Sequence, residues 1–249
     1  MGSAFLNSHS RVCSDMDIPV SLVTGAARGI GLEVVRQLAL RGHCVLLAAR
    51  NADRGQAAAQ QLSASGHVQF LPLDVTSPSS IEQAQQKVRQ EFGRLDVLIN
   101  NAAILLDHYQ KPSETSVQQL QETLQTNVMA VHAMIQAFTP LLKASAAPRI
   151  INVSSGAGQL SGMQGSVWAP AYQISKTAVN AVTRVWATEL SESNIAVNSV
   201  CPGWCRTEMG GEGAPRSPEE GAAGIVWLAT EAAHQLTSRF FRDREEIAW

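Results

Sequence analysis

The sequence predicts a single doubly wound α/β domain, a parallel sheet of about seven strands with helices on both faces. Three observations predict it. Short apolar runs of strand length alternate with longer stretches whose apolar residues recur at helical spacing. The short runs are nearly continuous rather than alternating, as in strands covered on both faces. At 249 residues, 45% apolar and 16% charged, the chain can bury one sizeable core and is unlike a disordered segment. The domain is expected over residues 18–249, behind a flexible N-terminal tail of residues 1–17.

Val20 to Thr24 is the first strand-like run, and Ile30, Val34, Val35 and Leu38 follow at helical spacing until Gly42 supplies a stop. Cys44 to Ala49 is the second strand, Ala52 to Leu62 a weaker helix, and Val68 to Val75 the third strand. Ser77-Pro78 starts a helix that runs to about Phe92, with proline at the position where its missing N–H costs nothing. Leu95 to Ile99 is the fourth strand, and one long helix is expected over Val117 to Leu142, disturbed near Pro140. Ile150 to Val153 is the fifth strand, Ala171 to Leu190 a helix, Ile195 to Val200 a strand, Pro218 to Ala229 a helix, and Ser238 to Phe241 the last strand. No internal repeat, low-complexity segment or interdomain linker interrupts this order.

Net charge is -2, and no Lys/Arg-rich run exists to neutralise a phosphate backbone, so nucleic acid is not an expected partner. Cys13, Cys44, Cys201 and Cys205 show no C-x-x-C spacing and are expected as free thiols in a reducing compartment. The six histidines have no paired spacing on one helix face, so no metal site is expected. Neither a signal-peptide-like apolar stretch nor a run of about 18 apolar residues is present, and the expected location is the cytoplasm, with no membrane association.

The segment Thr24-Gly25-Ala26-Ala27-Arg28-Gly29-Ile30-Gly31 joins the first strand to the first helix. Glycines there let the backbone turn tightly and approach a pyrophosphate, while the helix N-terminus offers unpaired N–H groups and partial positive charge. Three glycines alone also describe an ordinary tight turn. Their place at the end of an apolar strand favours a Rossmann-type dinucleotide site. The second strand ends in Ala49-Arg50-Asn51, where an NAD-binding domain usually places an acid against the ribose 2′-hydroxyl. Arg50 instead offers a planar cation suited to a 2′-phosphate, and Arg28 lies where it could reach the same group. The expected cofactor is NADP(H).

With this spacing in place, the chain from about Ser21 onward resembles the short-chain dehydrogenase/reductase family. Asp74-Val75 is similar to the family's adenine-contacting residues, and Asn100-Asn101-Ala102-Ala103 to its N-N-A-G motif, with Ala103 in place of glycine. Asn127, in Thr126-Asn127-Val128, matches the family's catalytic asparagine. Asn152-Val153-Ser154-Ser155 carries its serine, assigned to Ser155 with Ser154 as the alternative. Tyr172-Gln173-Ile174-Ser175-Lys176 is its Y-x-x-x-K core, and residues four apart share a helix face. Pro202-Gly203-Trp204-Cys205-Arg206-Thr207 matches a P-G-x-x-x-T segment that approaches the nicotinamide end through backbone groups and Thr207. The C-P-G-W segment and the short ending after Phe240 resemble the carbonyl reductase branch. The interval from Ser155 to Tyr172 departs from the family in being longer, and its Gly162, Met163, Gln164, Gly165 and Trp168 are expected beside the substrate.

The resemblance implies that Tyr172 is the acid/base, its pKa lowered by Lys176 together with an oxidised nicotinamide, that Ser155 holds the carbonyl oxygen, and that Asn127 carries a relay water to Lys176. It implies cofactor contacts from Gly25, Arg28, Gly29, Ile30, Gly31, Arg50, Asp74, Val75, Asn101, Ala102, Tyr172, Lys176, Pro202, Gly203 and Thr207. Trp168, Trp204, Met209 and also Met163 are candidates for an apolar substrate wall. The function this supports is NADPH-dependent reduction of aldehydes and ketones, reversible as alcohol oxidation. Two alternatives stand beside it, an NAD-dependent alcohol dehydrogenase of the same family and a non-catalytic NADP-sensing regulator. The helix Ala171 to Leu190 often forms a subunit interface in the family, so a homodimer or homotetramer is expected.

Overall fold

Strands β1 (Val20–Thr24), β2 (Cys44–Ala49), β4 (Val97–Asn100) and β6 (Ala196–Val200) are buried at every residue, which is why their sequences read as unbroken apolar runs. In this computed structural model, which describes residues 18–163 and 167–249, they join β3 (Val68–Pro72), β5 (Arg149–Val153), β7 (Phe240–Arg242) and β8 (Glu245–Glu246) in one sheet of order β3-β2-β1-β4-β5-β6-β7-β8. The expected tail, residues 1–17, lies outside the described residues. Seven strands are parallel. β8 pairs antiparallel with β7 and makes the sheet one strand larger than expected. The hairpin turn between them is Asp243-Arg244, at φ +53° and +67°. Two successive left-handed residues suit a two-residue hairpin, but Asp-Arg lacks the glycine that usually announces one.

Each strand sends alternate side chains to opposite faces. In β2, Cys44, Leu46 and Ala48 meet a core that includes α3 (Pro78–Phe92), α5 (Ala130–Leu142) and α6 (Pro170–Glu189). Val45, Leu47 and Ala49 meet the core of α1 (Gly29–Leu40), α2 (Ala52–Gln61) and α7 (Pro218–Thr230). Phe138, fully buried on α5, and Val34 and Leu38 on α1 fill the two layers.

Two boundaries correct the sequence reading. The long helix over Val117 to Leu142 is interrupted at Gln125–Met129, a π-helical turn between α4 (Val117–Leu124) and α5, while Pro140 is accommodated inside the last turn of α5. β3 stops at Pro72, which has no N–H to extend the ladder, and the chain then reaches Asp74 as a loop. The reading of four free thiols also fails at one position, because Cys44 is disulfide-bonded, and this removes one argument for a reducing compartment. Cys201 and Cys205 are free and buried, and Cys13 lies outside the described residues. Among the described residues no helix is long and apolar enough to cross a membrane, and no cluster of His, Cys, Asp and Glu could hold a metal ion.

Strand order reverses between β1 and β4, so the crevice at their carboxyl ends is the place where an open α/β sheet admits a ligand. The glycine loop, Arg50, the Asn100-Asn101 segment, Ser155 and the Pro202-Gly203 segment follow strand ends at that edge, Tyr172 and Lys176 sit on α6, and Asn127 sits in the π-turn between α4 and α5.

Candidate active site

The glycine loop leaves β1 at the strand-order switch. Gly25 adopts φ +63° and Gly29 φ +57°, a region that favours glycine. Gly31 is required by space. A Cβ there would lie 2.5 Å from Asn101 Nδ2 and 2.7 Å from the Gly25 carbonyl. Asn101 fastens the loop to β4, its Nδ2 donating to the Thr24 and Gly25 carbonyls at 2.9 and 3.2 Å. The Thr24 hydroxyl accepts from the Asn101 and Ala102 N–H groups at 3.0 and 3.1 Å. α1 begins at Arg28 without a side-chain cap, which leaves its first amides facing the crevice. Ile30 turns its side chain into the α1–α7 core, so only its backbone faces this loop.

That cradle fits the pyrophosphate of a dinucleotide, since a Cβ at Gly31 would fill the space and uncapped amides supply donors. Arg50 is exposed at the end of β2, and its charge helps hold the Asp74 carboxyl below its ordinary value. Burial of Asp74 opposes this, but hydrogen bonds from the Thr76 side chain and N–H outweigh it. Val75, next to Asp74, packs its side chain against the core. Arg28 does not extend toward Arg50. Its guanidinium pairs with Glu208, from the segment after β6, where the Thr207 methyl also approaches Gly29. Gly203 follows Pro202 at φ +80°, and Thr207 Oγ1 accepts from the Gly210 N–H at 3.0 Å.

Three of the four expected catalytic side chains converge where β5 meets α6. The Ser155 hydroxyl, which accepts from the Ala157 N–H at 3.1 Å, lies close enough to the Tyr172 phenol to favour its ionised form. Ser154 donates to the Lys176 carbonyl at 3.2 Å, so of the two serines Ser155 is the one beside the Tyr172 phenol. Lys176 is buried, its Nζ 5.5 Å from the Tyr172 ring centroid and donating to the Val153 carbonyl at 2.8 Å. Burial pushes its pKa down to about 8, against a smaller opposing effect of Cys201. Burial pushes the Tyr172 pKa up, the neighbouring Ser155 hydroxyl pulls it partly back, and Cys201 adds to the rise. Desolvation therefore outweighs any help from Lys176 and keeps the phenol protonated at neutral pH.

Asn127 is the fourth, buried in the π-turn. Its side chain is fully used. Oδ1 accepts from the Ile104 N–H at 2.8 Å, while Nδ2 donates to the Ile104 carbonyl at 2.9 Å and to Ser175 Oγ at 3.0 Å. Ser175 Oγ in turn donates to the Tyr172 carbonyl at 2.7 Å. Asn127 thus ties the loop after β4 to the turn of α6 that carries the tyrosine. The π-turn widens the helix by one residue and alters its backbone pairing at this point.

Of the substrate candidates, Trp168 lies against Tyr172, ring centroids 5.9 Å apart. Trp204 is 55% exposed with its indole N–H on the Gly210 carbonyl, and Met209 is 39% exposed on the same segment, so neither is packed in a core. Met163 ends a short 3₁₀ turn, while Gln164 and Gly165 lie outside the described residues. Sequence reasoning missed His108 and Tyr109. The His108 ring sits edge-on to Trp168 at 5.5 Å and stacks on Tyr109 at 3.9 Å, extending an aromatic string from Tyr172 to the surface. Two aromatic residues in the loop after Asn100-Asn101 were the available signal.

Comparison with known proteins agrees with this geometry. Residues 19–217 match the short chain dehydrogenase family. A short-chain dehydrogenase of Penicillium roqueforti is 38% identical over 86% of this chain and 90% of its own length. Carbonyl reductase [NADPH] 1 of Sus scrofa is 34% identical over 92% and 94%. Among solved structures, NADPH-bound carbonyl reductase from chicken fatty liver superposes with a TM-score of 0.85 at 30% identity, covering 93% of this chain and 99% of that one. The chain belongs to the short chain dehydrogenase family, in its carbonyl reductase-like branch.

Proposed function

We propose that this oxidoreductase reduces aldehydes and ketones to alcohols with NADPH, using Tyr172 as its acid. The observation that carries the reading is the grouping of a buried, protonated phenol with the Ser155 hydroxyl and the Lys176 ammonium at the carboxyl edge of β5. NADPH, when bound, supplies the hydride. A carbonyl oxygen gaining negative charge needs a proton donor and a fixed hydrogen-bond donor. Tyr172 fills the first role and Ser155 the second. A phenol held above its ordinary pKa retains its proton at neutral pH, which suits reduction; in the reverse direction Tyr172 receives the alcohol proton. Lys176 stabilises the phenolate left after transfer, and Asn127 holds the π-turn from which a relay water would reach Lys176.

Arg50, exposed where an NAD-binding domain places an acid, supports NADPH as the cofactor, as do the NADPH-named relatives. Gly25, Gly29 and Gly31 would admit the pyrophosphate, Asp74 and Val75 would border the adenine, and Asn101, Ala102, Pro202, Gly203 and Thr207 would line the nicotinamide half. Arg28 serves the phosphates only on leaving Glu208. Exposed apolar side chains occur in three segments outside the sheet, with Leu106 and Tyr109 in one, Leu160 and Val167 in the next, and Trp204 and Met209 in the third. They favour bulky, apolar carbonyl substrates. We also infer a cytoplasmic homodimer or homotetramer built on α6.

The test follows reduced-nicotinamide absorbance with NADPH and with NADH against aromatic aldehydes, diketones and bulky ketones, beside Tyr172→Phe. Turnover with NADPH is expected to exceed that with NADH, and the variant is expected to lose about 10³-fold or more in kcat while still binding NADPH. NADPH binding without turnover of any carbonyl would favour a sensor instead, and preference for NADH would overturn the assignment of Arg50.

A further inference from the structure

Helix α6 carries Tyr172 as its third residue yet opens on Ala169-Pro170, which is poorly equipped to start a helix. Ala169 at the cap position has no side-chain acceptor, and Pro170 has no N–H. The first donor of the helix is therefore the Ala171 N–H. It is met by Asp107 Oδ2, from a loop 64 positions earlier in the chain. Asp107 is fully buried, 0% exposed, and the wider family pattern described above assigns it nothing. Its other oxygen, Oδ1, is buried without a hydrogen-bond partner among the described residues. A carboxylate held in this way faces the positive end of a 20-residue helix, where its charge is favoured.

The same loop touches the substrate side of the site. His108, next to Asp107, meets Trp168, and Trp168 meets Tyr172. The Tyr109 N–H donates to the Trp168 carbonyl at 2.6 Å. From the helix side, Gln173 Oε1 accepts from the Trp168 N–H at 3.1 Å and lies 3.4 Å from the Ala169 N–H. Asp107 thus joins the aromatic loop directly to the first turn of α6, immediately before Tyr172.

We propose that Asp107 is a positioning residue for the reaction: by capping α6 from outside the helix, it fixes the Tyr172 phenol against Ser155 and sets Trp168 beside it. This rests on Tyr172 being the acid. Without the cap, the first turn of α6 loosens, Tyr172 shifts from its place beside Ser155, and the phenol loses the neighbour that favours its ionised form. Cofactor binding, which relies on the glycine loop and the ends of β2 to β4, is unaffected.

The experiment compares Asp107→Ala, Asp107→Asn and Tyr172→Phe in kcat, KM, NADPH dissociation constant and the pH profile of alcohol oxidation. Asp107→Ala is expected to lower kcat by about 10- to 100-fold, the scale of a slightly misplaced catalytic group, with the NADPH constant changed less than about twofold. Its ionisation limb in oxidation moves to higher pH. Asp107→Asn keeps an oxygen for the Ala171 N–H and is expected to restore kcat and the limb. If Asp107→Ala does not fold, Asp107→Ser, whose hydroxyl is too short for this contact, replaces it with the same expectations. A wild-type kcat in the truncated variant, a parallel loss of NADPH affinity, or no rescue by Asn overturns the proposal. Full activity in Tyr172→Phe overturns the acid assignment as well, which separates the two failures.

Discussion

At the scale of single residues, burial is the effect that decides how the site ionises. Lys176 has an ordinary value of 10.5 and is pushed down to about 8 because its ammonium is withdrawn from water. Between those values the unfolded chain keeps a proton that the folded chain has lost, so stability contributed by this group rises with pH across the window. Tyr172 acts in the opposite sense higher up. Above its ordinary value of 10.0 the unfolded phenol ionises while the folded one holds its proton, and stability falls. Thermal melts of the ligand-free chain against Lys176→Met should therefore show wild type gaining on the variant from about pH 8 to about pH 10. A constant difference across that range would mean that Lys176 is not charged at a cost in the folded state. Space decides at Gly31. Its substitution by Ala sets a methyl 2.7 Å from the Gly25 carbonyl, a backbone atom that can yield only by moving the loop. The expected result is an NADPH affinity lower by about tenfold or more, read by cofactor fluorescence, in a protein that still melts cooperatively. Unchanged affinity would place the pyrophosphate elsewhere.

At the scale of elements, the site was legible where its signal is local and obscure where it comes from contacts across the chain. The glycine loop, Arg50, the Ser155 segment and Tyr172/Lys176 each lie at the end of one apolar strand or on one helix face; periodicity locates those strands and that helix, and the family resemblance picks out Ser155, Tyr172 and Lys176 on them. The Asp107 cap spans 64 positions and the Arg28–Glu208 pair spans 180, and neither leaves a periodic trace. The π-turn at Gln125–Met129 was hidden for another reason: Val117 to Leu142 is helical by composition throughout, and the interruption is stabilised by Asn127 reaching a different segment. Asn127→Ala would leave the Ile104 N–H and carbonyl without these partners, a cost of about 2 kcal/mol. For a chain of this size that lowers Tm by roughly 4–8 °C. Calorimetry on the variant checks it, and an unshifted transition would mean that the loop after β4 is held by other contacts.

At the scale of the whole molecule, both sheet faces are covered, yet α6 keeps an apolar stripe outside. Ile174 and Val185 are 50% and 68% exposed, and eleven positions separate them, about three helical turns, so they lie on one face. Val117 on α4 and Met129 just before α5 are also exposed, and α6 packs against both α4 and α5. Grouped apolar exposure of this kind is unusual on a monomer. A second copy related by a two-fold axis would place the same stripe opposite itself, the arrangement most homo-oligomers adopt. Val185→Glu would then bring two carboxylates into an apolar contact, each costly to desolvate and each repelling the other. Sedimentation at micromolar concentration should show an oligomer for the wild type and a monomer for the variant. The fold of the variant should be unchanged, because Val185 faces away from both core layers. A wild-type chain that sediments as a monomer would refute the interface. It would also assign the exposed stripe no part in supporting the helix that holds Tyr172, leaving Asp107 and Asn127 as its supports toward the site.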